Sequence, residues 1–268
     1  MNVLERKMKF KKKISKFYKE IIFKLKKKIN LDKQILELAS LNELFNYFGT
    51  DKGTEVTNQY QKNPSKTDQK LIGHGYAQFY EKHLNIYKND KINILEIGTW
   101  KGASVAAFYH YFKNAIIFCI DKNFKFQFES NRVNFFNCDT ENFTDIKNLE
   151  KYFIEKKSES FDVIIDDGSH NYTDILNNFQ NFFKRIKPGG FYIIEDFNHY
   201  RLHSSYFNDK PDNAFDISEI FEFLLNKKNF KSEDLDHDFQ NYCFENISNI
   251  TIHKGIKDYS YIAFIKKK

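Results

Sequence analysis

From Lys91 onward, short apolar runs alternate with stretches of helical period. The runs INILEIG (92–98), AIIFCID (115–121), RVNFFNCD (132–139), FDVIID (161–166) and GFYIIED (190–196) predict five strands. Helices are predicted over 103–112, 143–156, 173–186 and 216–227. Near the end, NITIHKG and YSYIAFIKK are spaced as an antiparallel hairpin. Strands that alternate with helices imply an α/β fold: a mostly parallel sheet with helices on both faces. Ligands of such sheets bind beyond the carboxyl ends of the strands.

Upstream the pattern is helical. Residues 34–48 (QILELASLNELFNYF) and 76–87 (YAQFYEKHLNIY) predict two helices, separated by a polar loop that starts GTDKGTEV at Gly49. In the first 30 residues Phe10, Ile14, Phe17, Ile21 and Leu25 recur at three- and four-residue steps, with lysines between them. That is an amphipathic helix. It can lie on anionic lipid, giving a peripheral membrane contact, or dock on the body or a neighbouring subunit. The expected organisation is a basic extension (1–30), a helical lead-in and lid (31–90) and a sheet domain (91–268).

Charge divides the chain the same way. The net charge is +6, yet residues 1–30 hold 12 Lys/Arg against two Glu, so the remaining 238 residues carry −4. A mildly acidic body does not offer a nucleic-acid footprint. Three cysteines without close spacing exclude a disulfide framework and a Cys-ligated zinc site, and suit a reducing cytoplasm. No apolar run approaches the roughly 18 residues of a membrane span, and no signal-peptide core is evident.

The chemistry sits at the strand ends. Glu96, Gly98 and Gly102 form E-x-G-x-x-x-G after the first strand. This is not the G-x-G-x-x-G of a nicotinamide-binding turn, so a nicotinamide oxidoreductase is disfavoured. Asp121 ends the next strand, where an acid can accept hydrogen bonds from ribose hydroxyls. Asp139 ends the third, where an acid can meet an adenine amino group. Asp166-Asp167 and Glu195-Asp196 then end two strands that neighbour each other in such a sheet. Clustered carboxylates repel unless a cation or protons neutralise them, and carboxylate oxygens suit Mg2+. Capping by Asp167, Ser169 or Asp196 accounts for one acid, not for four. His170, three residues after Asp167, has the ordinary pKa of a general base near neutrality.

The glycine loop and strand-end acids together resemble class I S-adenosylmethionine-dependent methyltransferases, and the KPGG at 187–190 is similar to that class. DDGSH followed by ED resembles its metal-dependent sugar O-methyltransferases, of the macrolide-sugar and bacterial surface-sugar type. YFGTDKGT (47–54) and HGYAQFYE (74–81) are similar to that group's lead-in, so the resemblance spans about 40–265. It implies a Rossmann-like fold with an N-terminal helical extension, and cofactor contacts at Glu96, Gly98, Thr99, Gly102, Ser104, Asp121, Asp139 and Asp166. It implies Mg2+ ligands at Asp167, Glu195 and Asp196, with His170 and Asp167 as catalytic residues. Acceptor contacts are expected from His74, Tyr76, Tyr80, His199 and Arg201, the first three in a lid, and from the loop 197–215. Arg201 and His203 would suit a nucleotide diphosphate. The expected acceptor is a sugar or nucleotide-sugar, such as a heptose for a bacterial capsule, since the Lys-, Asn-, Ile- and Phe-rich composition suggests an AT-rich genome. A catechol-like or phosphorylated acceptor, and a catalytically silent S-adenosylmethionine-binding protein, are the alternatives. A homo-oligomer in the cytoplasm or at the inner membrane face is expected.

Overall fold

The computed structural model describes residues 14, 17–56, 71–202 and 210–268. Phe10 of the apolar stripe, most of the polar loop after Val56, and His203 lie outside the described residues. Helix α1 covers residues 17–25. Strand β1 (Ile29–Asn30), helix α2 (Leu41–Phe48), the short pair β2 (Glu55–Val56) and β3 (Leu71–Ile72), and helix α3 (Ala77–Leu84) make the lead-in. The sheet domain follows with β4 (Asn93–Ile97), α4 (Ala103–Tyr111), β5 (Ile116–Asp121), β6 (Phe128–Glu129), β7 (Val133–Asn137), α5 (Phe143–Glu155), β8 (Phe161–Asp166), α6 (Tyr172–Phe182) and β9 (Ile186–Glu195). It ends with α7 (His199–Leu202), α8 (Ile217–Leu225), α9 (His237–Asn246), β10 (Ile247–Lys254) and β11 (Tyr261–Lys267).

The main sheet has seven strands in the order β10-β11-β9-β8-β4-β5-β7. The five central strands run parallel, and β11 and β10 add antiparallel at one edge. The predicted hairpin is therefore present, and β8 and β9 are neighbours. One boundary moved and one helix was unpredicted, both for local reasons. The helix predicted from Gln34 starts at Leu41, because Ser40 caps it reciprocally with Glu43. Helix α9 escaped prediction; Asp236 caps it through the Phe239 amide at 2.7 Å.

Period-two alternation assigns the strand side chains to two cores. Leu95, Ile97, Phe118, Ile120, Ile164, Tyr192 and Ile194 face α5, α6, α8 and α9. Ile94, Ile117, Cys119, Val163, Ile165, Phe191 and Ile193 face α2, α3 and α4. The lead-in thus shares a core with the sheet instead of standing over it as a lid. Among the described residues no helix is long and apolar enough to cross a membrane.

Candidate active site

Alternation also divides the acids. Glu96 follows the parity of Ile94, so it points to the lead-in side of β4. Glu195 follows Ile193 and points the same way. Asp166 follows Ile164 and points to the opposite side, under α6. There its carboxylate accepts from the Gly168 amide at 3.3 Å, Asn178 Nδ2 at 3.2 Å and the Tyr192 hydroxyl at 3.3 Å. Burial raises its pKa to about 7 against those hydrogen bonds. Asp166, expected as a cofactor contact, is instead enclosed beneath the loop, where it holds the turn to α6.

Three loops leave the carboxyl ends of β4, β8 and β9, and each contains one non-glycine residue in the left-handed region. These are Trp100 (φ 44°), His170 (φ 61°) and Asp196 (φ 53°). Such residues cost about 1–3 kcal/mol each and concentrate at functional sites. The loops also press together. The Asp167 amide donates to Ile97 O at 2.9 Å, and a Cβ on Gly98 (φ 87°) would run into the Asp167 carbonyl. Glycine is required at Gly98 by that contact as well as by its φ. Asn171, not Asp167, holds the N-cap position of α6, while Ser169 Oγ donates to Asp174 and accepts from the Asn171 amide at 3.3 Å.

The sequence reading missed the residue at the centre. Lys52, from the polar loop after α2, is 1% exposed and places Nζ 2.6 Å from Asp167 Oδ2 and 2.7 Å from Glu195 Oε2. Its loop is clamped by backbone bonds. The amides of His74, Gly75 and Tyr76 donate to Asp51, Gly53 and Lys52 at 2.6, 2.9 and 2.8 Å. Burial opposes the lysine's charge, but Asp167 and Glu195 outweigh it and hold the pKa well above the ordinary range. A lysine set between two glycines' worth of turn, in GTDKG, carries no periodic signal. Only the tertiary approach of the lead-in to the strand ends gives it a role.

Tyr76 and Tyr80, expected in an acceptor-binding lid, stand behind the acids. Both are fully buried, and their hydroxyls donate to Asp196 Oδ1 and Glu195 Oε1. They brace carboxylates and have no open face toward an acceptor. His74 is buried too, with Nδ1 2.6 Å from Ser260 Oγ and 3.3 Å from Asp196 Oδ1, and burial lowers its pKa to about 3. His199 Nε2 lies 3.5 Å from Asp196 Oδ1, and His170 Nε2 lies 3.7 Å from Asp167 Oδ1. Arg201 is on the surface, 3.6 Å from Asp216.

Burial raises Asp167 to about 6 despite Lys52, and pushes Glu195 and Asp196 well above the usual carboxylate range. One ammonium thus does not suffice for the three carboxyls, which take up protons unless a further cation replaces them. Among the described residues, single ligand atoms from His170, Asp196 and His199 all lie within 4.8 Å of one another. The expected set differs: Asp167 and Glu195 are bridged by Lys52, and Glu195 spends its second oxygen on Tyr80. A carboxylate oxygen has two lone pairs, so neither residue is closed to a metal.

A cleft of about 300 Å³ opens beside these acids, and Gly98, Asp121, Asp139, Asp167 and His170 line it. A second, of about 220 Å³, runs on past Thr99 and Ser104. Asp121 Oδ2 accepts from the Trp100 amide at 2.8 Å, and Oδ1 from the Asn123 amide at 2.6 Å. Asp139 stands two residues beyond the end of β7. Both oxygens of Glu96 and the hydroxyl of Thr99 are buried without a hydrogen-bond partner. The Ser104 and Thr99 hydroxyls are near enough to favour the charged form of Glu96, but burial prevails and raises its pKa. A buried carboxylate behind Thr99 and Ser104, which line the second cleft, suits a cationic ligand group. Glu96→Gln is expected to keep or raise apo stability, by up to about 2 kcal/mol, while weakening S-adenosylhomocysteine affinity at least about ten-fold. Thermal melting and titration calorimetry check the two halves, and unchanged affinity would remove Glu96 from the ligand site.

The likenesses to known proteins agree with this geometry. Residues 95–197 match the family model described as a methyltransferase domain. Demethylmacrocin O-methyltransferase of Streptomyces fradiae is 29% identical over 130 residues, 46% of this chain and 32% of that protein. Mycinamicin VI 2''-O-methyltransferase of Micromonospora griseorubida is 29% identical over 130 residues, 46% of this chain and 31% of its own length. The chain thus spans about a third of the curated relatives it matches. The structure of the methyltransferase MycE from the mycinamycin biosynthetic pathway, in complex with Mg and S-adenosylhomocysteine, superposes with a TM-score of 0.60 at 21% identity, covering 85% of this chain and 54% of that one. That superposition shows the shared fold. Residues 95–197 of this chain are thus similar in sequence to a methyltransferase domain, on a sheet with acids at its strand ends.

Proposed function

We propose that this protein transfers a methyl group from S-adenosylmethionine to a sugar hydroxyl, with Mg2+ at the strand-end acids. The observation that carries the reading is a pair of features on adjoining clefts. Glu96 is buried beside Thr99 and Ser104, which line one, and Asp167 and His170 line the other. The relatives named above are O-methyltransferases of demethylmacrocin and mycinamicin VI, which supports a hydroxyl acceptor for this chain.

The residues present fit both groups. Glu96, Gly98, Thr99 and Ser104 would hold the amino-acid part of the cofactor, Asp121 its ribose, with Asp139 near the base. Asp167, Glu195 and Asp196 would hold Mg2+ through their hard oxygens, with His199 beside Asp196. When bound, S-adenosylmethionine would supply an electrophilic methyl group, and Mg2+ would supply a Lewis acid that lowers the pKa of the acceptor hydroxyl. His170 accepts that hydroxyl's proton. Burial first, and the charge of Lys52 second, lower its pKa to about 4, so the ring is a free base at neutral pH. Asp167, within 3.7 Å of His170 Nε2, stabilises the imidazolium that results. Lys52, Tyr76 and Tyr80 keep the carboxylates in place. Alignment of acceptor and methyl group in the cleft supplies a further share of the rate.

The acceptor we propose is a nucleotide-activated sugar with two adjacent oxygens, such as a heptose destined for a surface polysaccharide. Arg201, two residues after His199 and 3.6 Å from Asp216, would meet the diphosphate. Methyl transfer against a panel of nucleotide sugars, with EDTA and with Mg2+, tests the reading. Turnover lost in EDTA and regained with Mg2+ is expected. Full turnover in EDTA overturns the metal assignment, and transfer only to catechols or phosphorylated small molecules overturns the sugar assignment. Binding of S-adenosylhomocysteine without turnover of any acceptor would mark a silent binding protein.

A further inference from the structure

We propose that α1 docks this protein on the surface of an anionic bilayer, through an apolar ridge that faces away from the body. The methyl-transfer reading neither requires nor predicts this contact. The apolar stripe that the sequence singles out is not the face that packs. Phe17, Tyr18, Ile22 and Leu25 are 60%, 62%, 55% and 81% exposed, and Ile14 and Ile21 are exposed beside them. The residue that packs is Phe23, at 7% exposure. Its ring sits 5.5 Å from that of Phe124 and 5.2 Å from that of Phe135, with Lys28 Nζ 4.0 Å above it.

Helical geometry explains the division. At about 100° per residue, the six exposed apolar residues fall within an arc of about 140°, and Phe23 lies roughly opposite its centre. Phe23 pins the helix to the body, and the ridge points outward. Lys24 lies about 20° outside one edge of the arc, where its stem can follow apolar surface while its ammonium pairs with Glu20 at 2.7 Å. Past the end of α1, Lys26, Lys27, Lys28 and Lys33 line an open groove of about 670 Å³, with Glu129 as its acid. These lysines follow the ridge directly along the chain and suit phosphate headgroups.

Charge selects the occupant. Residues 1–30 carry 12 Lys/Arg against two Glu, while the other 238 residues carry −4. The same helix of a second copy would bring like charge against like charge. A nucleic acid would use the lysines and leave the apolar ridge in water. An anionic bilayer satisfies both features at once.

The test is co-sedimentation of the full chain with vesicles of phosphatidylcholine alone and with a minority of phosphatidylglycerol. Binding to the anionic vesicles is expected, at least about ten-fold weaker on the zwitterionic ones and weakened by salt. The variant Phe17→Ser/Ile21→Ser/Leu25→Ser is expected to bind at least about ten-fold more weakly, with an unchanged melting temperature and unchanged methyl transfer to a soluble acceptor. If that variant does not fold, Lys26→Gln/Lys27→Gln/Lys33→Gln reads the same contact from its charged side. Wild-type binding by the serine variant overturns the proposal, and so does indifference of the native chain to anionic vesicles. Two other results overturn it as well: a dimer that the serine variant abolishes without any vesicle binding, and duplex DNA binding that outcompetes the vesicles and ignores the serine substitutions.

Discussion

Lys52→Met is expected to lower the melting temperature in EDTA by roughly 10 °C. The ammonium bridges Asp167 and Glu195 at 2.6 and 2.7 Å, and it is 1% exposed. Removing one partner of such a buried pair costs about 3–5 kcal/mol, because the partner charge stays behind. In a chain of this size each kcal/mol moves the midpoint by about 2–4 °C. The loss has a pH sign. Burial already raises Asp167 from 3.8 to about 6, with Lys52 opposing. Without Lys52 the carboxyls titrate higher still. The folded state then holds protons that the unfolded state has released, so stability falls as pH rises from about 4 past about 6. The deficit is therefore larger at alkaline than at mildly acidic pH, and added Mg2+ recovers part of it. Scanning calorimetry of both proteins, with EDTA and with Mg2+ at two pH values, measures all three effects. Identical melting of variant and wild type would show that the bridge contributes nothing.

The second large effect is catalytic. His170→Ala is expected to lower turnover by about 10²–10⁴-fold, the usual contribution of a positioned general base. Calorimetry should find S-adenosylhomocysteine affinity within about two-fold of wild type, since His170 serves the acceptor end of the cleft. The backbone complicates the alanine variant: His170 has φ 61°, which costs alanine about 1–2 kcal/mol. His170→Asn is the control, because asparagine tolerates that conformation and cannot act as a base. Both variants must lose turnover together. Activity retained by either one would take the proton-transfer role from His170.

Much of the frame was legible in the sequence because it rests on local signals. Each apolar run from Ile92 to Asp196 became a strand of the parallel sheet, and the terminal pair became the antiparallel edge. Boundaries followed capping chemistry that periodicity does not register. Ser40 with Glu43 starts α2 seven residues after Gln34, and Asp139 falls beyond the last paired residue of β7. Asp166 could have been separated from Asp167 at once. A strand alternates its faces, so adjacent acids at a strand end part unless the backbone turns between them, as it does at Asp196 (φ 53°). Asp166 turns under α6 to Asn178 and Tyr192, and Asp167 turns into the cleft.

The sequence by itself determined the order of strands and helices, the acids at the strand ends, the glycine turn after β4 and the amphipathic character of the N-terminal segment. These depend on residue type and spacing within one element or one turn. Only the tertiary structure decided what stands opposite those acids. Lys52 reaches Glu195 across 143 positions of chain, and Tyr76 reaches Asp196 across 120, because α2 and α3 pack on the same side of the sheet as Glu96. It also decided which side of α1 is free, since the buried side is set by where Phe124 and Phe135 lie. Spacing along the chain cannot encode such pairings, because they arise when separate elements bury their apolar faces against one sheet.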